Sequence, residues 1–175
     1  MPIESALVAI IPEAEALVSS FRERFDPAAA AGVPAHITII YPFKSPSDLT
    51  AEVMLQLEQL FASTPSFELR FVRAKRFPSV LYLAPEPDEA LRRLTNMLIE
   101  SFPEAPPYGG AFADTIPHLT IAHASDSQTL DRIGQDFARQ TKGKLPIRSA
   151  VQEIVLMDNE SGRWQIRHRF ALAMD

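Results

Sequence analysis

Two short segments of this chain carry residues suited to acid–base chemistry at matching spacing. They read Ala35-His36-Ile37-Thr38-Ile39-Ile40 and Pro117-His118-Leu119-Thr120-Ile121-Ala122. Each holds His, apolar, Thr, Ile, apolar, with a proline one or two positions before the histidine. On an extended strand, residues i and i+2 project to one face and i+1 and i+3 to the other. His36 and Thr38 are therefore expected on one face, roughly 6–7 Å apart along the strand, with Ile37 and Ile39 anchoring the opposite face in a core. His118 and Thr120 repeat the arrangement over Leu119 and Ile121. Phosphodiester cleavage needs a base for the attacking oxygen and an acid for the leaving one. Histidine holds either role near neutral pH. Threonine hydroxyls can donate to the non-bridging oxygens as charge develops there. Two such histidines divide the work with no metal or other cofactor. One His-x-Thr is unremarkable in a chain with four histidines; two copies in matched strand contexts, about half the chain apart, are not.

The surroundings of these motifs read as a soluble domain. The chain has 175 residues, 46% hydrophobic and 22% charged, with a formal charge of -5. Gripping long nucleic acid usually takes a basic surplus, because counterion release drives that binding. The expected partner is instead a small nucleotide or an RNA 3′-end, with no long double-stranded nucleic acid and no membrane, and the chain is expected to act as a monomer. The absence of cysteine excludes disulfides, thiolate metal sites and cysteine nucleophiles. The apolar run Ala6–Ile11 is too short for a signal-peptide core and lacks a basic flank, so the expected location is the cytoplasm.

Periodicity supplies the elements that must position the motifs. Strands are expected at Ala6–Ile11, His36–Tyr41, Phe67–Phe77, Val80–Ala84, His118–Ala122, about Ala150–Met157 and Trp164–Ala173. Helices are expected at Glu13–Phe25, from a cap at Ser47 or Asp48 through about Phe61, after Pro87-Asp88, and at Ser127–Gln140. Residues 26–34 read as a loop. Pro103–Pro117, with four prolines and Gly109-Gly110, reads as one long loop, more often functional than idle at that length. The fold class expected is α+β with antiparallel strand pairs, and no linker divides residues 1–175 into separate domains.

The paired motifs resemble those of the two-histidine (2H) phosphoesterase superfamily, especially the bacterial 2′-5′ RNA ligase family. The likeness extends to His36–Phe43, to Phe77-Pro-Ser-Val-Leu-Tyr-Leu83 and to Phe112–Ala122, and so covers nearly the whole chain. The resemblance implies one bilobal α+β domain. Two antiparallel sheets, related by a pseudo-two-fold, would face a central cleft, with helices on the outer faces and a His-x-Thr on each inner wall. It also implies metal-independent phosphodiester chemistry, commonly on 2′,3′-cyclic phosphate ends, ADP-ribose cyclic phosphate or 2′-5′ linkages, with His36, Thr38, His118 and Thr120 as the catalytic set. Many relatives carry a basic residue, often Arg, five positions after the second motif's histidine. Here that position is His123. It reads either as a strand-end histidine or as a substrate contact, and strict alternation sets it opposite His118 unless the strand has bulged or ended.

Further candidates are less specific. Phe67, Leu69, Phe71, Arg73, Lys75 and Phe77 have common parity, so the basic pair could enter a phosphate-lined cleft or be a solvated strand end. Tyr41, Phe43 and Tyr108 could stack on a base or cover the cleft, or simply pack. His168 has the parity of Trp164, Ile166 and Phe170 and reads as a satisfied inward histidine at a cleft edge rather than as a third catalytic one. Rival functions are a non-catalytic RNA-end or nucleotide-binding module and an RNA 2′-5′ ligase running the reverse reaction. A metal site of His36, His118 and Asp114 is weaker, because no histidine has an acidic partner at i+2 and no H-x-H or H-x-x-x-H pair occurs.

Overall fold

The structure, a computed structural model, describes residues 2–110 and 115–174. Phe112 and Asp114, named above, lie outside the described residues. Among the described residues there are eight strands, β1 (Ser5–Ile10), β2 (His36–Ile40), β3 (Phe67–Phe77), β4 (Val80–Glu86), β5 (Leu119–His123), β6 (Ile147–Val151), β7 (Glu153–Asp158) and β8 (Gln165–Ala171). Five helices among the same described residues join them: α1 (Glu15–Phe25), α2 (Pro27–Ala30), α3 (Ala51–Ala62), α4 (Glu89–Ser101) and α5 (Ser127–Gln140). No described helix is long and apolar enough to cross a membrane.

Every strand pair is antiparallel, and the strands form one curled sheet in the order β6-β3-β4-β5-β2-β1-β7-β8. The two sheets expected from the resemblance are thus two four-stranded halves of one sheet. Its seam is the pairing of the two His-bearing strands, β2 and β5, at Ile37 and Leu119. In each half the same order recurs, β1–α1–β2 and β4–α4–β5, an antiparallel pair joined through a helix. The helices cross over, with α1 packing on β5 and α4 on β2, which locks the halves together.

The apolar stripes of α1, α3, α4 and α5 all meet one face of the sheet. There Leu17, Phe21, Phe61, Leu94 and Phe137 join Ile37, Leu83, Leu119 and Ile121 in the main core. The opposite face carries a smaller apolar cluster of Ala6, Val8, Val33, Val155 and Met157. This open face is where the polar motif residues project.

Several boundaries depart from the sequence reading. The segment Ala150–Met157 is two strands broken at Gln152, with β6 pairing β3 at one edge and β7 pairing β1 in the other half. Residues 27–30 form a short helix capped by the Asp26 carboxylate, which accepts from Ala28 N–H. Pro46–Asp48 form a 3₁₀ turn and bury Leu49, so α3 starts later, from Thr50, whose hydroxyl accepts from Val53 N–H. The long loop is partly structured, with a 3₁₀ turn at Pro107–Gly110.

Candidate active site

Strand β2 alternates as its sequence requires: Ile37 and Ile39 are buried in the core, and His36 and Thr38 are half-buried on the open face. Leu119 and Ile121 of β5 do the same for Thr120, with His118 immediately before the strand. The antiparallel register at Ile37–Leu119 sets Thr120 across from His36 and Thr38 across from His118, at the ~5 Å spacing of directly opposed side chains. The two imidazoles and two hydroxyls therefore sit at one seam on one face.

Each ring is held in the same way. His36 Nδ1–H donates to the Pro34 carbonyl at 2.8 Å, and His118 Nδ1–H donates to the Ile116 carbonyl at 2.8 Å. A carbonyl oxygen only accepts, so both neutral rings carry their proton on Nδ1 and keep a lone pair on Nε2. Burial pushes the His36 pKa down to about 4, opposed by the Pro34 hydrogen bond and reinforced by Arg22 and His118. Burial likewise lowers that of His118, with the Ile116 bond opposing and the charge on His123 reinforcing.

The two walls differ. His118 is enclosed by aromatic edges, with Phe77 at 5.2 Å and Tyr82 at 5.7 Å, and those two rings stack on each other at 4.3 Å. Lys75 pairs with Tyr82, and Tyr82 with Thr120, so all three share the open face. Lys75, Tyr82 and Arg92 border a polar cavity of about 320 Å³ beside Pro117. On the other side, His36 and Thr38 border an apolar cavity of about 180 Å³ whose walls include Val8, Val33, Met157 and Trp164. Tyr41 closes its rim, with ring centroids 6.1 Å from Trp164 and 6.3 Å from Tyr108 in a stacked pair. Burial and a hydrogen bond to Glu4 push the Tyr41 phenol up to about 12. Tyr108 takes a positive φ of 51°, a costly conformation for a non-glycine residue, and its N–H donates to the Tyr41 carbonyl over the crevice between Thr38 and His118.

Several expectations about individual residues need correction. Phe43 is buried in the helix-side core, edge-on to Phe102, and does not reach the cleft. The common parity along β3 breaks at a bulge between Phe71 and Ala74. Leu69 and Phe71 face the core, whereas Lys75 and Phe77 face the cleft. Arg73 lies exposed within the bulge and borders neither cavity beside the two histidines. A second bulge, in β5, pairs His123 with Val80 and turns it to the face of Thr120, not the opposite face. There it is exposed, with Nε2 3.8 Å from the Asp26 carboxylate. His168 is not an inward residue at the cleft. It is exposed on the helix-side face, beside Glu58 at 3.4 Å and Phe170. Phe77, Tyr82 and Trp164 were not expected to contact the site. Phe77 and Tyr82 fall in the segment Phe77–Leu83 that carries the resemblance, but an aromatic residue beside a turn does not by itself reveal its face.

Among the described residues no group of three acidic or His side chains is placed to hold a metal ion.

Comparison with known proteins bears on the family and the fold. Residues 11–163 match the family model of the 2′-5′ RNA ligase superfamily. A Bacillus licheniformis protein named "Putative phosphoesterase" is 27% identical over 170 residues, covering 89% of this chain and 90% of that one. A Geobacillus kaustophilus protein of the same name is 29% identical over 111 residues, covering 59% of this chain but 58% of its own length. Escherichia coli LigT, solved in complex with ATP, superimposes with a TM-score of 0.62 at 21% identity over 99% of both chains, and has also been solved with NADP+ and with 3′-AMP. With the matched model spanning the seam, both histidine strands and all five helices, this chain belongs to the 2′-5′ RNA ligase superfamily.

Proposed function

We propose that this protein is a metal-independent phosphoesterase acting on a small nucleotide or RNA-end phosphodiester, a 2′,3′-cyclic phosphate or a 2′-5′ linkage. His36 and His118 exchange protons with the attacking and leaving oxygens through Nε2. Thr38 and Thr120 donate to the non-bridging oxygens. The observation that carries this reading is the pair of identical Nδ1–carbonyl hydrogen bonds, which leave two Nε2 lone pairs at one seam. Lys75 adds positive charge on the His118 side, and His123 is a second donor at the cleft edge. The apolar cavity beside His36, rimmed by Tyr41 and Trp164, suits a nucleobase, since aromatic stacking contributes roughly 1–3 kcal/mol per base. The complexes of LigT with ATP, NADP+ and 3′-AMP support a small nucleotide as ligand.

The test is hydrolysis of 2′,3′-cyclic nucleotides and 2′-5′-linked dinucleotides, followed by phosphorus NMR. Replacing His36 or His118 by Ala is expected to lower kcat by about 10²–10⁴-fold, with circular dichroism unchanged and EDTA without effect. Wild-type rates in the double variant would end this reading. Joining ends is the reverse transesterification at the same centre, and the family to which the chain belongs makes it the second reading. Ligated product from a cyclic-phosphate end and a 5′-hydroxyl end, lost in the same variants, would support it.

A further inference from the structure

The carbonyl that receives each histidine's Nδ1 proton lies in a segment poor in backbone donors. Pro34 is itself such an acceptor, and Pro117 follows the other, Ile116. The N–H groups flanking Pro34 are held, that of Val33 by the Ala28 carbonyl and that of Ala35 by the Glu15 carboxylate, and the carbonyl just before each acceptor is fixed by a side chain. In the first half Arg22 of α1 does so: its Nη2 donates to the Val33 carbonyl at 2.9 Å, one residue before Pro34. Its Nε donates to Asp26 at 2.9 Å, and Asp26 in turn accepts from Ala28 N–H at 3.0 Å. In the second half Arg92 of α4 repeats the pattern. Its Nη1 donates to the Thr115 carbonyl at 3.5 Å, one residue before Ile116, and its Nε donates to Asp88 at 2.9 Å.

We propose that Arg22 and Arg92 are positioning residues for the two cleft histidines. Each clamps the carbonyl three residues before its histidine, so that the carbonyl two residues before it stays aimed at Nδ1. Only a guanidinium serves both partners from one rigid fork, holding an aspartate one helical turn away and a backbone oxygen at once. The same set of partners recurs on the helix joining the antiparallel pair in each half, with the polarity reversed: Arg22 lies in the last turn of α1 with its aspartate four residues after it, and Arg92 in the first turn of α4 with its aspartate four residues before it. The clamps are unequal. Arg22 is 2% exposed and its ion pair is sealed from water. The Arg92 side chain is 36% exposed, borders the polar cavity and makes the longer bond. The His36 ring is thus held rigidly, while the His118 ring depends on a looser contact open to the cavity.

The inference rests on the proposed chemistry for its purpose, but its test does not require turnover. Imidazole nitrogen NMR of the full chain, labelled at histidine, reads the tautomer of each ring near neutral pH. The wild type is expected to show well-separated Nδ1 and Nε2 signals for both rings. In Arg92→Met, the His118 signals should converge as both tautomers become populated, with those of His36 unchanged. Arg22→Lys, which keeps the charge, should do the reverse. Since a buried arginine is replaced there, Arg92→Met at the half-exposed site carries the test alone if Arg22→Lys fails to fold. Unchanged His118 signals in Arg92→Met, or parallel changes at both rings, would overturn the clamp. A wild type showing the expected signals but no phosphodiester turnover would remove the proposed chemistry and leave the clamp standing.

Discussion

Both imidazoles are pushed toward the neutral form by burial, and this has a consequence for rate. A histidine whose pKa is lowered loses its proton at a lower pH than a free one, so the limb it governs moves to lower pH. In the free protein His36 sits at about 4 and His118 below its usual 6.5. A base–acid pair gives a bell in kcat/KM bounded by the two apparent values, whichever ring plays which role. The expected bell therefore peaks on the acid side of 6.5 and falls as pH rises above it. Kinetics on a cyclic nucleotide from pH 3.5 to 9 would check this, and limbs centred on neutrality would contradict the burial. At this scale the placing of each histidine and threonine on one face was legible from residue type and i, i+2 spacing. Phe43 was not: it lies two residues beyond Tyr41, yet packs on Phe102, because the bend at Tyr41-Pro42 after β2 sends the two aromatics to opposite sides.

Elements decide which way a side chain points, and the strands here do not alternate without interruption. Register shifts occur in the pairings β1–β2, β3–β4, β4–β5 and β7–β8. Each inserts a residue and moves every later side chain to the other face. Lys75 reaches the cleft through such a shift, as does His123, although unbroken alternation assigned both to the wrong set of neighbours. Nothing local in Val72-Arg73 marks a bulge, because its position depends on the partner strand. The turn into β8 shows a second kind of dependence. Trp164 N–H donates to the Ala31 carbonyl, and a Cβ on Gly32, which has a φ of +107°, would lie 2.9 Å from the Trp164 carbonyl. Gly32→Ala is therefore expected to push the Trp164 wall out of the cavity, and Trp164→Ala to remove it. Both should raise KM about 5–150-fold for adenosine or cytidine 2′,3′-cyclic phosphate, the loss of roughly 1–3 kcal/mol of stacking. A small phosphodiester lacking a base should be unaffected. Equal losses on both substrates would remove the base from that cavity.

At the scale of the molecule, the site exists because two halves drawn from non-contiguous stretches meet at one seam. One half takes β1, β2, β7 and β8, the other β3 to β6. Leu119 lies at the seam, fully buried and paired with Ile37. Leu119→Ala is expected to destabilise the protein by about 2–5 kcal/mol, through lost transfer energy and the cavity left behind. If the histidines act across the seam, it should also lower kcat below that of an equally destabilised variant remote from β2 and β5. Denaturant unfolding together with steady-state kinetics would separate the two effects. The amino-acid sequence by itself determined the α+β class and most helices and strands, and it singled out the two His-x-Thr segments that meet at the seam, because residue type, apolar period and capping are local properties. It also pointed to the family, through two motifs that recur in order. Only the tertiary structure decided that two expected sheets are one, that Ala150–Met157 is two strands serving opposite halves, and which aromatic and basic residues reach the cleft. The physical reason is that pairing register and strand order are set by long-range contacts, and no short window of residues contains both partners of such a contact.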